Sequence, residues 1–142
     1  MFTSFSNISA QSTKMSGSFF DVSLVSAAPA TLLLTISECT FDSLEAPDAW
    51  GVVFQISGNN SYITMNSISY TNSKNVNFLN YTSTNSELGQ SHLILFDIYV
   101  ENINSLATFF LLFQQLNVND YVTIENTTMT EYAFSLIVFA RS

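Results

Sequence analysis

The chain has 142 residues, of which 47% are hydrophobic and 10% are charged, so its composition is that of a folded domain rather than of a disordered segment. Eleven Asp and Glu residues against three Lys and Arg residues give a net charge of -8, which argues against nucleic acid or an anionic membrane surface as a partner. The single cysteine, Cys39, excludes an internal disulfide and a zinc site built from cysteines, and we expect it to be a small core residue.

Two features of the chain bear on targeting. Residues 1–30 lack the basic start and long apolar block of a secretory signal. We therefore expect either that a signal has been removed or that the chain is a piece of a longer protein. The most apolar runs, residues 109–113 and 135–140, are too short to span a bilayer, so we expect no transmembrane segment in this chain.

Short apolar segments recur along the chain at a nearly constant interval. The segments that begin at Leu34, Ile63, Leu93 and Val122 each hold two apolar-x-apolar pairs separated by two residues, and their starts lie 29, 30 and 29 residues apart. A weaker copy occupies residues 3–10. The positions predicted to point inward are Leu34, Ile36, Cys39 and Phe41; Ile63, Met65, Ile68 and Tyr70; Leu93, Leu95, Ile98 and Val100; and Val122, Ile124, Thr127 and Met129.

A further apolar segment accompanies each repeat, at residues 18–23, 52–57, 77–82, 109–114 and 135–140. Side chains alternate between the two faces of a strand. If the apolar side chains of two successive strands are both to point inward, this alternation must shift by one residue at the two-residue corner between the strands. Strands one period apart then pair in parallel, about 4.8 Å from each other. The pattern predicts an all-β solenoid, a parallel β-helix of about four to five coils with a period of about 30 residues and three short strands per coil. An antiparallel sandwich or jelly roll with accidental spacing is the alternative.

The two-residue corners carry a resemblance to a known family. They are Ser6-Asn7, Ser37-Glu38, Asn66-Ser67, Phe96-Asp97 and Glu125-Asn126, and three of the five contain asparagine. This pattern resembles the right-handed parallel β-helix repeats of the pectin-lyase-like superfamily, in which such corners commonly carry asparagine. The resemblance implies a right-handed coil. It covers nearly the whole chain, at the level of the fold only.

The resemblance also implies where catalytic residues would lie. Enzymes of that superfamily place calcium-binding acids and a basic catalytic residue on or beside the outer face of the third strand. Here the outward positions of that strand contain one acid and no base. We therefore predict no catalytic residue, no cofactor site and no metal site, and we interpret the acids elsewhere as solvated surface groups. The residues at these outward positions are Asp21, Gln55, Asn80, Leu112 and Val138, and the other acids considered are Glu38, Asp42, Asp97, Glu101, Glu125 and Glu131. The only histidine, His92, is expected in a loop before a strand.

The third strand is predicted to be apolar on both of its faces. The apolar positions predicted to point outward are Phe19, Val53, Phe78, Phe110 and Leu136, with Leu112 and Val138 beside them. A column of this size exposed to water is unusual for a monomer. Three interpretations remain open: a cover supplied by this chain itself, an assembly interface with another subunit or another part of a longer chain, and a strand register that differs from the one assumed.

Four N-glycosylation sequons occur, at Asn7, Asn59, Asn80 and Asn126. Together, these features predict that residues 1–142 form one β-helix domain or segment, part of a longer protein or assembly. We expect a structural module of an extracellular surface protein or filament that self-associates by lateral or end-on packing and carries N-linked glycans. A carbohydrate-active enzyme or a glycan-binding adhesin on the same fold is the alternative.

Overall fold

The computed structural model describes residues 2–6, 8–11, 18–23, 31–46, 51–58, 60–83, 90–114 and 120–140, with the backbone alone for 2–6, 9–11, 105–114 and 131–140. The described part of the chain is all-β and contains no helix. Its ten strands are β1 (Phe2–Ser6), β2 (Ser9–Gln11), β3 (Ser18–Ser23), β4 (Leu32–Asp42), β5 (Gly51–Gly58), β6 (Ser61–Thr71), β7 (Val76–Ser83), β8 (His92–Gln114), β9 (Tyr121–Glu125) and β10 (Thr128–Ala140).

The strands form three parallel ladders, each of five strand segments. The first ladder runs β1–β4–β6–β8–β9, and the second runs β2–β4–β6–β8–β10. The third runs β3–β5–β7–β8–β10 and uses the second half of β8. Every pairing among the described strands is parallel, so the antiparallel alternative is wrong, and the arrangement is consistent with a β-solenoid.

The register follows the sequence repeat. Leu34 pairs with Ile63, Ile63 with Leu93, and Leu93 with Val122, which are the residues at which the four repeats begin. Residues one period apart therefore stack in columns that run across the ladders. The predicted repeat and its register are confirmed.

The core consists of these columns, and all three ladders contribute residues to it. The twelve positions predicted to point inward in the repeats that begin at Leu34, Ile63 and Leu93, Cys39 among them, are at most 2% exposed. Phe41 of β4, in the second ladder, contacts Phe54 of β5, in the third ladder, with the ring centroids 5.3 Å apart. The core therefore packs these two ladders against each other. In the last repeat, Val122, Ile124 and Met129 pack against this core but are only half-buried.

The third strand bends where the sequence pattern predicted a straight strand. In β5 both Val53 and Phe54 are 0% exposed, and in β7 both Phe78 and Leu79 are 0% exposed. Consecutive side chains of a straight strand point to opposite faces, so two buried neighbours mark a bend that resets the phase without a spacer residue. The register shows the same interruption, because Val52 pairs with Asn77 and Phe54 with Leu79 while no Val53–Phe78 pair is present.

This bend corrects the predicted outward column. Val53 and Phe78 were expected on the outer face, and that placement is wrong because both belong to the buried core. Phe19 is 37% exposed, but its ring packs edge-on against the buried Phe41 ring at a centroid distance of 5.9 Å, so it also faces the core. For Phe110, Leu112, Leu136 and Val138 the structure describes only the backbone, and their proposed interface role stays a prediction.

Candidate functional site

The corners of the repeats hold a stacked column of polar residues. Their second positions adopt the left-handed backbone conformation, with φ of 53° at Glu38, 53° at Ser67, 57° at Asp97 and 47° at Asn126. Asn and Asp tolerate this conformation best among residues with a side chain, which explains two of these four identities. Glu38 has no such preference, so this corner is locally strained.

Asp97 links three repeats through this corner column. Its carboxylate accepts a hydrogen bond from Asn126 Nδ2 at 2.9 Å, and it lies 3.3 Å from Ser67 Oγ, whose single proton it shares with Asn66 Oδ1 at 2.6 Å. Both partners lie one repeat away, on opposite sides of Asp97. The carboxylate therefore links neighbouring strands through side-chain contacts, as cross-strand pairs of side chains do in other sheets.

Asp42 makes a second ladder at the end of β4. Its Oδ1 accepts hydrogen bonds from Thr71 Oγ1 and Asn72 Nδ2, both at 2.7 Å, and its Oδ2 accepts one from Ser43 Oγ at 3.0 Å. Asn102 Nδ2 donates to Asn72 Oδ1 at 2.8 Å and extends the ladder by one repeat. The hydrogen bonds from Thr71 and Asn72, and then that from Ser43, lower the pKa of Asp42 below its ordinary value of 3.8.

The lowered pKa of Asp42 bears on whether this carboxyl group could act as a catalytic acid. A glycosidase that uses two carboxyl groups needs one of them protonated near neutral pH, which requires a raised pKa. The pKa of Asp42 is shifted in the opposite direction, so its carboxylate is ionised and fixed by its donors. Among the described residues no group of three or more His, Cys, Asp or Glu side chains is placed to hold a metal ion.

A buried polar network lies inside the fold where β6, β7 and β8 meet. The Tyr81 hydroxyl lies 3.1 Å from the Gly58 carbonyl oxygen and 2.9 Å from Ser91 Oγ, and the Ser61 N–H donates to Ser91 Oγ at 3.1 Å. Since the phenol has one proton, it donates to the carbonyl and accepts from the Ser91 hydroxyl. Burial raises the pKa of Tyr81, so the phenol stays protonated, and the network serves packing rather than proton transfer.

The outer face of the first ladder carries an exposed aromatic column that sequence reasoning missed. The Tyr62 and His92 rings stack at 4.9 Å with an interplanar angle of 17°, and His92 and Tyr121 follow at 5.2 Å and 38°. His92 is the first residue of β8 rather than a loop residue, so that expectation is wrong. The signal was present in the sequence, because Tyr62, His92 and Tyr121 occupy one position of the repeat.

This aromatic column continues into a row of apolar side chains along β8. Ile94 is 42% exposed, Phe96 is 44% exposed and Tyr99 is 40% exposed. Acidic residues are interspersed with this row, because Asp97 and Glu125 are also exposed. We call Tyr62, His92, Tyr121, Ile94 and Phe96 the outer aromatic face.

The sequons differ in their geometry. Asn7 and Asn59 lie outside the described residues. Asn80 Nδ2 donates to Gln55 Oε1 at 2.8 Å, and its Oδ1 is buried with no hydrogen-bond partner among the described residues. A glycan on Nδ2 leaves one N–H, so the hydrogen bond is no barrier at Asn80 or at Asn126, whose Nδ2 donates to Asp97. The burial of the amide oxygen is what opposes a glycan at Asn80. Asn126 is exposed at a corner, so it is the described sequon with the freest path to solvent.

Comparisons with known proteins give no match: no protein family model, curated protein or solved structure matches this chain. The described part of the chain also contains no helix that is long and apolar enough to cross a membrane. The functional interpretation therefore depends on the geometry of the ladders, their corners and the outer aromatic face.

Proposed function

We propose that this chain is a structural module: a right-handed parallel β-helix, similar in its repeats to the pectin-lyase-like superfamily, that acts as a rigid rod in an extracellular surface protein or filament. It has no catalytic role in this proposal. Its function is mechanical, because each strand is held by parallel neighbours and by a continuous apolar core. N-linked glycans, with Asn126 as the first candidate, would cover part of the rod surface.

One observation carries the proposal: the acidic groups are used as links between repeats. Asp42 and Asp97 both accept hydrogen bonds from side chains one repeat away. An active site requires functional groups that face a substrate in a shaped cavity. Here the described carboxylates with the most hydrogen-bond donors face their own neighbouring strands, which favours a scaffold.

The test is enzymatic and uses one variant. The purified chain is incubated with an acidic polysaccharide, and new reducing ends and unsaturated products are measured. We expect neither product, and we expect Asp97→Ala to lower the melting temperature because it removes the hydrogen bond from Asn126 and the weaker one shared by Ser67. Depolymerisation by the parent chain that is lost in a folded Asp97→Ala variant would overturn the proposal in favour of the enzyme alternative.

Glycosylation of the secreted chain tests the extracellular part of the proposal. The chain is expressed in the secretory pathway of a eukaryotic cell, and each sequon peptide is analysed by mass spectrometry. We expect a glycan on Asn126, because this side chain is exposed at a corner, and none on Asn80, because this side chain is half-buried with its amide oxygen enclosed. Asn126→Gln is the matched control. A secreted, folded chain with an unmodified Asn126 would contradict this part of the proposal.

A further inference from the structure

The outer aromatic face is exposed on strands that lie inside the first ladder. Tyr62 belongs to β6, and Ile94 and Phe96 belong to β8, and each of these strands pairs with a neighbour on both sides. The three side chains are nevertheless 43%, 42% and 44% exposed. Their exposure is therefore toward the outer side of the sheet and does not depend on where the ladder ends. Exposed apolar side chains grouped in this way are typical of binding surfaces.

Acidic side chains border this face at the corner that follows the first ladder. Phe96 pairs directly with Glu125 of β9, and Asp97 follows Phe96 at the corner. Glu38 occupies the same corner position two repeats away, and all three carboxylates are exposed. Of the three bases in the chain, Lys74 alone lies within the described residues, and it lies between β6 and β7. The described residues therefore supply no cation to this face.

An exposed ring beside a carboxylate attracts a guanidinium group in two ways. The face of an aromatic ring attracts a cation, and an arginine also forms paired hydrogen bonds with a carboxylate. Paired residues of adjacent strands are about 5 Å apart, so a guanidinium over the Phe96 ring is within reach of the Glu125 carboxylate. Asp97 has acceptor sites to spare, because an ionised carboxylate has about four and this one receives a hydrogen bond from Asn126 and a shared one from Ser67.

We propose that the outer aromatic face binds a cationic segment of a partner protein, with an arginine side chain placed over Phe96 and paired with Glu125. This inference goes beyond the proposed function, because it gives the rod a partner. A second copy of this chain meets only half of the requirement: it would offer rings to the rings, but it would also bring Glu38, Asp97 and Glu125 toward like charges. An acidic polymer is repelled in the same way, since the whole chain has a net charge of -8.

Binding of an oligo-arginine peptide tests the proposal. The parent chain is titrated into the labelled peptide at about 0.15 M salt, where exposed charges more than about 8 Å apart are largely screened from each other. An oligolysine peptide of the same length has the same charge but no planar group that stacks on a ring. We expect the parent chain to bind oligo-arginine about fivefold more tightly than oligolysine.

Two variants and a matched control locate the binding. Phe96→Ser removes the ring and keeps every charge, whereas Glu125→Gln removes the carboxylate beside it. The control is Asp21→Asn, which removes an equal charge from an exposed position of β3 in the third ladder. We expect the first two variants to weaken oligo-arginine binding about three- to fivefold each, and Asp21→Asn to change it by less than about 1.5-fold. All three side chains are exposed, so the variants should keep the circular dichroism and melting temperature of the parent chain.

Three results would overturn the inference. Equal affinity for the two peptides, or equal losses in Glu125→Gln and Asp21→Asn, would mean attraction to net charge alone. Concentration-dependent sedimentation of the parent chain without peptide, abolished in Phe96→Ser, would assign the face to a second copy. Binding of a neutral oligosaccharide in place of oligo-arginine, abolished in Phe96→Ser, would assign it to a glycan. Each of these results leaves the proposed rod intact, because the rod depends on the parallel register and on the lack of depolymerising activity.

Discussion

Replacing Phe78 by alanine tests whether this side chain is buried, as in the structure, or points outward, as the sequence pattern predicted. Phe78 is 0% exposed, and its ring centroid lies 5.5 Å from those of both Phe54 and Tyr70. Truncation of a fully buried phenylalanine costs about 3–5 kcal/mol, because apolar burial is lost and a cavity remains. A typical domain has a total stability of about 5–15 kcal/mol, so the loss is a large share of the total and the denaturation midpoint should fall clearly.

The assay is urea denaturation monitored by circular dichroism, with Phe19→Ala as the matched control. Phe19 retains 37% of its exposure, so its truncation removes less buried surface and is expected to cost about 1–2 kcal/mol. The reasoning is refuted if Phe78→Ala unfolds at the same urea concentration as the parent chain. It is also refuted if the only effect of Phe78→Ala is a change in association state, since an outer-face residue would behave in that way.

Three further predictions concern local geometry. A Cβ at Gly51 would lie 2.6 Å from Ala46 Cβ, so we expect Gly51→Ala to lower the free energy of unfolding by about 1–3 kcal/mol, and an unchanged denaturation midpoint would contradict this. Glu38 has φ of 53°, so Glu38→Asn should raise stability by about 0.5–1 kcal/mol in a thermal melt, whereas the neighbouring Ser37→Asn should not. The pKa of Asp42 is lowered on folding, so its contribution is present above its unfolded pKa of about 3.9 and is lost as the pH falls through the folded value. Stability measured at pH 7 and pH 3 should therefore fall more in the parent chain than in Asp42→Ala, and equal losses would count against the ladder.

The sequence predicted the inward columns well because their signal is simple. Leu34, Ile63 and Leu93 are apolar at nearly constant spacing, and the two-residue corners leave a visible phase shift. The bend in β5 has no such mark. Val53 and Phe54 are adjacent apolar residues, and a straight strand with two apolar faces produces the same pattern as a bent strand with one. The interrupted register and the contacts of Phe78 with Phe54 and Tyr70 distinguish them.

The hydrogen-bonding roles of the acidic residues could not be predicted from sequence spacing, because they depend on the directions of the side chains. Asp42, Thr71 and Glu101 lie in one column of paired residues, as the 29- and 30-residue spacing of the repeats requires. That Asp42 accepts hydrogen bonds from Thr71 and Asn72 follows from side-chain direction at the corner, where the left-handed backbone of Asn72 turns its amide toward the neighbouring repeat. The outer aromatic face, by contrast, was predictable from the same repeat, because Tyr62, His92 and Tyr121 share one of its positions.

The most direct test of the parallel repeat is a set of backbone nuclear Overhauser effects in solution. Parallel ladders keep the difference between paired residue numbers constant, whereas antiparallel ladders keep their sum constant. The account predicts contacts from Thr35 to Thr64, from Thr64 to Ile94 and from Ile94 to Thr123, each 29 or 30 residues apart. Contacts between these strands in which one residue number rises as the other falls would contradict the solenoid and the function proposed from it.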